Sequence, residues 1–170
     1  MVVNKMDNKI DLLMNAHDEL QDQVRFGDSK ATAIITFKLV MLAFLRTQVN
    51  DINRAYQEND AIVIGLFSVF MFTFMISTSY VLKVIIPRVS RISGNKSSIY
   101  FSEIASMERD EYIKYIEDQT SEDLARDFAA QIHVLSRISV KKYASIRKSI
   151  AFFGVSNICF WVAILRASLI

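Results

Sequence analysis

Residues 61–86 read AIVIGLFSVFMFTFMISTSYVLKVII, and Pro87 follows them. No charge falls within residues 61–82. A bilayer core of about 30 Å is crossed by about twenty apolar residues of helix, so this stretch predicts a transmembrane helix with room for tilt. Pro87 lacks the N–H that would continue the ladder and suits the helix end. Lys83, Arg88 and Arg91 crowd that end and mark a cytosolic interface. Within the span, Ser77, Thr78, Ser79 and Tyr80 form a polar cluster. Their expected role is hydrogen bonding to neighbouring helices or to their own carbonyls.

Towards the C-terminus, Ser149 to Leu165 is also free of charge, with Trp161 suited to an interfacial belt and Lys141, Lys142, Arg147 and Lys148 at its start. A third span is assigned to residues 149–168. Towards the N-terminus, Ala31 to Leu45 is apolar except for Lys38 and is short for a crossing, so a first span over residues 31–48 recruits flanking residues. Lys38 either snorkels along its stem to the headgroups or lines a polar seam or pore within an assembly. Should this span fail to insert, the chain becomes a two-span hairpin with the same long connection.

Outside the spans, residues 1–30 carry charge throughout, lack the apolar core of a cleavable signal, and place Ile10, Leu13, Met14, Leu20 and Val24 as an amphipathic helix in the cytosol. Phe26-Gly27-Asp28-Ser29 interrupts it, with Asp28 or Ser29 as N-cap of the next helix. Residues 88–148 have soluble character and follow a Ser93-Gly94-Asn95 turn. Ser106 is expected to cap a short helix that buries Tyr112, Ile113 and Ile116. Thr120 and Asp123 form a capping box. Leu124, Phe128, Ile132, Leu135 and Ile138 then repeat at helical spacing with no Pro or Gly before Gly154, so one long helix runs into the third span.

The connection from Arg46 to Asp60 has two basic residues, against eight in the flanks Arg88–Ser106 and Ala130–Lys148 together. The positive-inside rule places residues 88–148 and the N-terminus in the cytosol and the C-terminus in the periplasm of an inner-membrane protein. The fold class is thus an all-α membrane protein with three transmembrane helices and a cytosolic helical segment between the second and third.

Twenty Lys and Arg against eighteen Asp and Glu are too balanced for a protein that coats nucleic acid. Cys159 is alone, and His17 and His133 lack partners at metal-ligand spacing; they read as a buried small hydrophobe and as solvated or packed helix residues. Four glycines and the absence of a phosphate-loop motif leave no cofactor and no catalytic residue to assign. Anion binding is better supported. The cytosolic segment combines cations with aromatic rings, the two surfaces that a nucleotide requires. Arg109 and Arg126 are the candidates for phosphate, and Tyr100, Phe101 and Tyr112 for the base. Lys141, Lys142, Arg147 and Lys148 read as headgroup contacts and topology determinants.

Several short motifs in order carry a resemblance: Phe26-Gly-Asp-Ser-Lys-Ala before the first span, Pro87-Arg88 closing the second, Ile99-Tyr-Phe-Ser-Glu-Ile, Glu111-Tyr112, Gln131-Ile-x-x-Leu-Ser136, Lys142-Tyr143 and Arg147. Over about residues 10 to 165 they resemble the transmembrane effector family of Pycsar antiphage systems. The resemblance implies a bacterial effector partnered with a pyrimidine nucleotide cyclase, whose cyclic CMP or cyclic UMP makes the effector compromise the inner membrane, so that the infected cell dies before phage mature. The mechanism expected of this chain is a cyclic nucleotide docking on the cytosolic helices and favouring a homo-oligomer that disrupts the bilayer, with no nucleic-acid partner. Two rivals stand beside it: a small lipid-modifying membrane enzyme, and a holin-like toxin that needs no ligand.

Overall fold

The computed structural model describes residues 2–86 and 97–169, with side chains from residue 8 onward. Every element among them is helical: α1 (Val2–Thr47), α2 (Val49–Gln57), α3 (Ala61–Ile85), α4 (Phe101–Ile104), α5 (Arg109–Glu117) and α6 (Ser121–Ala167). The expected turn at Pro87 to Asn95, with Arg88 and Arg91, lies outside the described residues.

The chain divides into two compact units, Met1–Phe26 with Arg88–Lys141 and Gly27–Pro87 with Lys142–Ile170. Helices α1 and α6 contribute residues to both.

In the second unit three helices each bury one stripe. Ala31, Ile34, Lys38 and Met41 come from α1; Val63, Phe70, Thr73, Ser77, Val81 and Val84 from α3; Ile146, Ser149, Ser156, Phe160, Ala163 and Ala167 from α6. These intervals of three, four and seven keep each set on a single helical face. The opposite faces carry bare apolar side chains: Phe37, Phe72, Met75 and Ile158 are 67%, 68%, 65% and 66% exposed. A bilayer covers such surface, and water does not. Helix α3 and the apolar part of α6 are each long and apolar enough to cross a membrane. The α1–α2 pair, bent by 59°, meets the same test when taken as one, so two helices, or three segments with the bent pair, are candidates for crossing a membrane.

Helix α3 is bounded as its chemistry dictates. The Asp60 carboxylate accepts from the N–H groups of Ile62 at 2.9 Å and Val63 at 3.0 Å, which fixes the N-cap. Arg166, near the end of α6, grips the same carboxylate, with Nε 2.9 Å and a terminal nitrogen 2.7 Å from Oδ2. The start of α3 and the end of α6 therefore meet, as they must in an antiparallel pair.

Three local expectations are corrected. Phe26-Gly27-Asp28-Ser29 does not interrupt the chain; it lies inside α1, and neither Asp28 nor Ser29 is an N-cap. A single internal glycine costs a helix only about 1 kcal/mol relative to alanine, and Asp28 is held instead by an ion pair with Lys142. Ser106 does not cap the short helix, whose N-cap is Glu108; its hydroxyl donates at 2.7 Å to the Glu103 carbonyl. In that helix Ile113 and Ile116 are exposed and Tyr112 is half-buried. The connection from Arg46 to Asp60, read as a link between spans, contains α2, which buries Ile52 and Ala55. At the start of α6 the capping box is present: the Thr120 N–H donates to Asp123 and the Asp123 N–H to the Thr120 hydroxyl, each at 3.2 Å. The 47 residues of α6 form one unbroken helix that includes the apolar stretch from Ser149.

Candidate functional site

Two polar constellations stand out, one in each unit. In the first unit the centre is Asp127, on α6. Its carboxylate accepts the Ser97 hydroxyl at 2.8 and 3.0 Å, the Ser98 N–H at 2.7 Å and the Ser98 hydroxyl at 2.8 Å. Ser97 and Ser98 are 3% and 5% exposed. Ser97 Oγ in turn accepts from the N–H groups of Ile99 at 3.2 Å and Tyr100 at 3.0 Å, and Gln131 Nε2 lies 3.3 Å away. A hydroxyl that accepts from the two following amides holds a tight turn. That turn delivers Tyr100 and Phe101 to the start of α4, their rings 5.1 Å apart and tilted by 54°. The Tyr112 hydroxyl donates to the Ser98 carbonyl at 3.0 Å and ties α5 to the same turn.

Tyr100 and Tyr112 are thereby brought to one anchored turn, and Phe101, 67% exposed, offers an open ring face beside it. The two arginines are placed differently. Arg126 neighbours Asp127 in sequence but points its guanidinium to Glu122 at 2.8 Å, an exposed pair one helical turn apart. Such a pair is worth about 0.3–0.5 kcal/mol, so a stronger anion displaces it readily. Arg109 is exposed on the first turn of α5. Asp127, Ser97 and Ser98 were not read from the sequence. The signal was available: Leu124, Asp127, Phe128 and Gln131 share one helical face, so an acid and an amide interrupt an apolar stripe, and buried polar groups in such a position are held by partners. His17 packs in this unit, its ring edge-on to Phe128 at 5.6 Å. Among the described residues no cluster of His, Cys, Asp or Glu could hold a metal ion.

In the second unit the polar groups lie between helices. The Ser77 and Ser149 hydroxyls are 2.9 Å apart and each reaches the other residue's carbonyl, at 2.8 and 3.0 Å. Both are fully buried, as is Ser156, whose hydroxyl donates to the Phe70 carbonyl at 3.4 Å. Thr78 and Ser79 return their hydroxyls to the Phe74 and Met75 carbonyls, and Tyr80 stacks on Phe152 at 6.0 Å.

Lys38 belongs to this seam. It is 4% exposed, and its Nζ donates to Thr78 Oγ1 at 2.9 Å and to the Phe74 carbonyl at 3.3 Å. The rings of Phe74 and Phe153 lie 4.6 and 5.3 Å from the ammonium. Its level on α3 is seven to eleven residues short of Ile85, about 10–16 Å at 1.5 Å per residue. That depth exceeds the reach of a lysine stem, and the side chain turns inward. A cation in the middle of a span costs about 2.5–3.5 kcal/mol on insertion scales, and a hydroxyl, a carbonyl and two ring faces are its compensation.

The ends of this unit differ in charge. Lys83 and Lys148 flank Tyr80, at 5.0 and 5.6 Å from its ring, and Lys30 lies over Tyr143 at 5.3 Å. At the other end Arg166 is neutralised by Asp60. Arg166 is first among the causes that hold the Asp60 carboxyl below the usual range, followed by the Val63 N–H.

A family model, the Pycsar effector protein domain, matches residues 12–168. No curated protein and no solved structure matches the chain. The match spans α1 through α6 and so takes in the residues of both polar constellations. The chain belongs to the Pycsar effector family and is by that membership an effector of antiphage defence.

Proposed function

We propose that this chain is a three-span inner-membrane effector that a cyclic pyrimidine nucleotide, cyclic CMP or cyclic UMP from a partner cyclase, drives to oligomerise and disrupt the bilayer. The infected cell then dies before phage mature. The observation that carries the reading is the division of labour along the chain: one unit buries polar groups between apolar helices, and the other holds an anchored, aromatic turn. Residues 31–48 serve as the first span. Residues 88–148 and the N-terminus face the cytosol, because the lysine-rich end of the helix bundle belongs on that side. The C-terminus faces the periplasm.

The nucleotide docks on the segment 97–126. Arg126 exchanges Glu122 for the phosphate, Arg109 supplies the second charge, and Phe101 with Tyr100 and Tyr112 offers the ring surface for the base. Ligand shifts an equilibrium only by its differential affinity for two states, so binding across two copies makes the oligomer the favoured state. The chemistry is binding, without turnover.

Cells expressing the chain alone are exposed to cyclic CMP, cyclic UMP or cyclic AMP while membrane potential is followed. Depolarisation with a pyrimidine nucleotide, lost in Arg109→Ala and Arg126→Ala although both variants remain in the membrane, is the expected result. An unchanged potential with all three nucleotides removes the ligand-gated reading, and depolarisation without any nucleotide turns it into that of a constitutive toxin.

A further inference from the structure

We infer that the lesion formed by this chain is anion-selective, with Lys38 as the residue that sets the selectivity. The inference rests on the proposed function, since it concerns the passage that opens when the spans rearrange, and it adds what that passage conducts.

Residues 61–82 and 149–165 contain no Asp, Glu, Lys or Arg, and residues 31–45 contain Lys38 alone. Within these three stretches the fixed charge is therefore one cation per chain. Its surroundings are neutral: Thr78 Oγ1 at 2.9 Å, the Phe74 carbonyl at 3.3 Å, and the rings of Phe74 and Phe153. Among the described residues no carboxylate faces it. The acids of this unit that form ion pairs are Asp28 with Lys142, Asp51 with Arg54 and Asp60 with Arg166, and all three belong to residues outside the uncharged stretches.

Thr78, the hydroxyl partner of Lys38, belongs to a set of hydroxyls on α3 and α6: Thr73, Ser77, Thr78, Ser149 and Ser156. At rest each is bound to a carbonyl or to another hydroxyl. Separation of α3 from α6 breaks the Ser77–Ser149 and Ser156–Phe70 bonds and turns O–H donors towards whatever fills the gap. The exposed faces, by contrast, are mainly apolar, and their hydroxyls at Thr36, Ser68 and Ser79 are bound within their own helices, so separation does not free them. Water and ions therefore enter along the hydroxyl seam and meet the ammonium. In an assembly the cation recurs once per copy, and a ring of lysines attracts inorganic anions and repels cations.

The test uses the full chain in vesicles of phosphatidylethanolamine and phosphatidylcholine, which are zwitterionic, so that anionic headgroups add no cation preference of their own. Current is measured across a potassium chloride gradient with cyclic CMP or cyclic UMP added. The wild-type current is expected to reverse on the chloride side of zero, and Lys38→Met to lose the chloride preference several-fold while still leaking. Lys38→Arg, which keeps the charge, retains it. A wild-type current that reverses at zero or on the potassium side overturns the inference, whether or not the variants insert. So does an unaltered chloride preference in Lys38→Met. No current with either nucleotide is a different failure: it sinks the membrane-disrupting function itself, and the selectivity with it.

Discussion

Asp127→Ala removes the acceptor on which the aromatic turn of the first unit is built. Three donors lose their partner: the Ser97 hydroxyl, the Ser98 hydroxyl and the Ser98 N–H. A buried donor left unsatisfied costs about 1–3 kcal/mol, and Ser97 and Ser98 are 3% and 5% exposed. Full additivity over the three donors would give about 3–9 kcal/mol. The carboxylate itself is only half-buried, so its removal admits water, which satisfies part of the loss. The expected destabilisation of the turn is therefore about 3 kcal/mol, and about 1 kcal/mol for Asp127→Asn, which keeps an acceptor oxygen.

Amide hydrogen exchange of Ser98, whose N–H is 2.7 Å from Asp127 Oδ2, reads this directly. At 1.4 kcal/mol per decade, Asp127→Ala lowers protection about a hundredfold and Asp127→Asn several-fold. Because the same turn presents Tyr100 and Phe101, nucleotide binding falls with it, while α3 and the apolar part of α6 still insert. Ser98 protection that is unchanged in Asp127→Ala refutes the reasoning, since some other group must then hold the turn.

Two further outcomes concern pairs of bonded polar groups. Ser77→Ala and Ser149→Ala, taken singly and together, yield a coupling of about 1 kcal/mol in detergent unfolding, within the range for hydroxyl bonds between membrane helices; independent effects contradict the reciprocal bond. Stability also falls in acid. The Asp60 carboxyl is held low by Arg166 and the Val63 N–H, and the Asp123 carboxyl by the Thr120 hydroxyl and N–H. A carboxylate depressed in the folded state contributes above its unfolded value of about 3.9, and that contribution is lost as pH drops through the folded one. Asp60→Asn flattens the acid side of the thermal-stability profile measured in detergent, and an unaltered profile excludes this contribution.

How much was legible depended on whether a feature was local. The charge-free stretches 61–82 and 149–165 announced two helices long and apolar enough to cross a membrane, and Thr120 with Asp123 announced the start of α6, because each signal lies within a few residues. The supposed break at Gly27 was misread because a glycine penalty is small beside the packing of Ala31 and Ile34 against Val81, Val84 and Ile146. Helix α2 was missed although Val49–Gln57 holds no Gly or Pro, since nine residues are too few for periodicity to stand out. The Asp127 turn depends on residues about thirty positions away, and nothing local in Ser97-Ser98 names its partner. The inward turn of Lys38 was one of two sequence readings. Choosing between them required the depth of Phe74, Thr78 and Phe153, which only the packed helices supply.

The central claim is that hydrocarbon takes up three stretches of this chain while residues 97–148 lie in water on the cytosolic side. Single cysteines test it in a Cys159→Ser background, with a thiol reagent that cannot cross the inner membrane. Glu58→Cys and Ser168→Cys are expected to label in intact cells, and Ser106→Cys only after the inner membrane is permeabilised. Labelling of Ser106→Cys in intact cells, or release of the chain from membranes without detergent, contradicts the account.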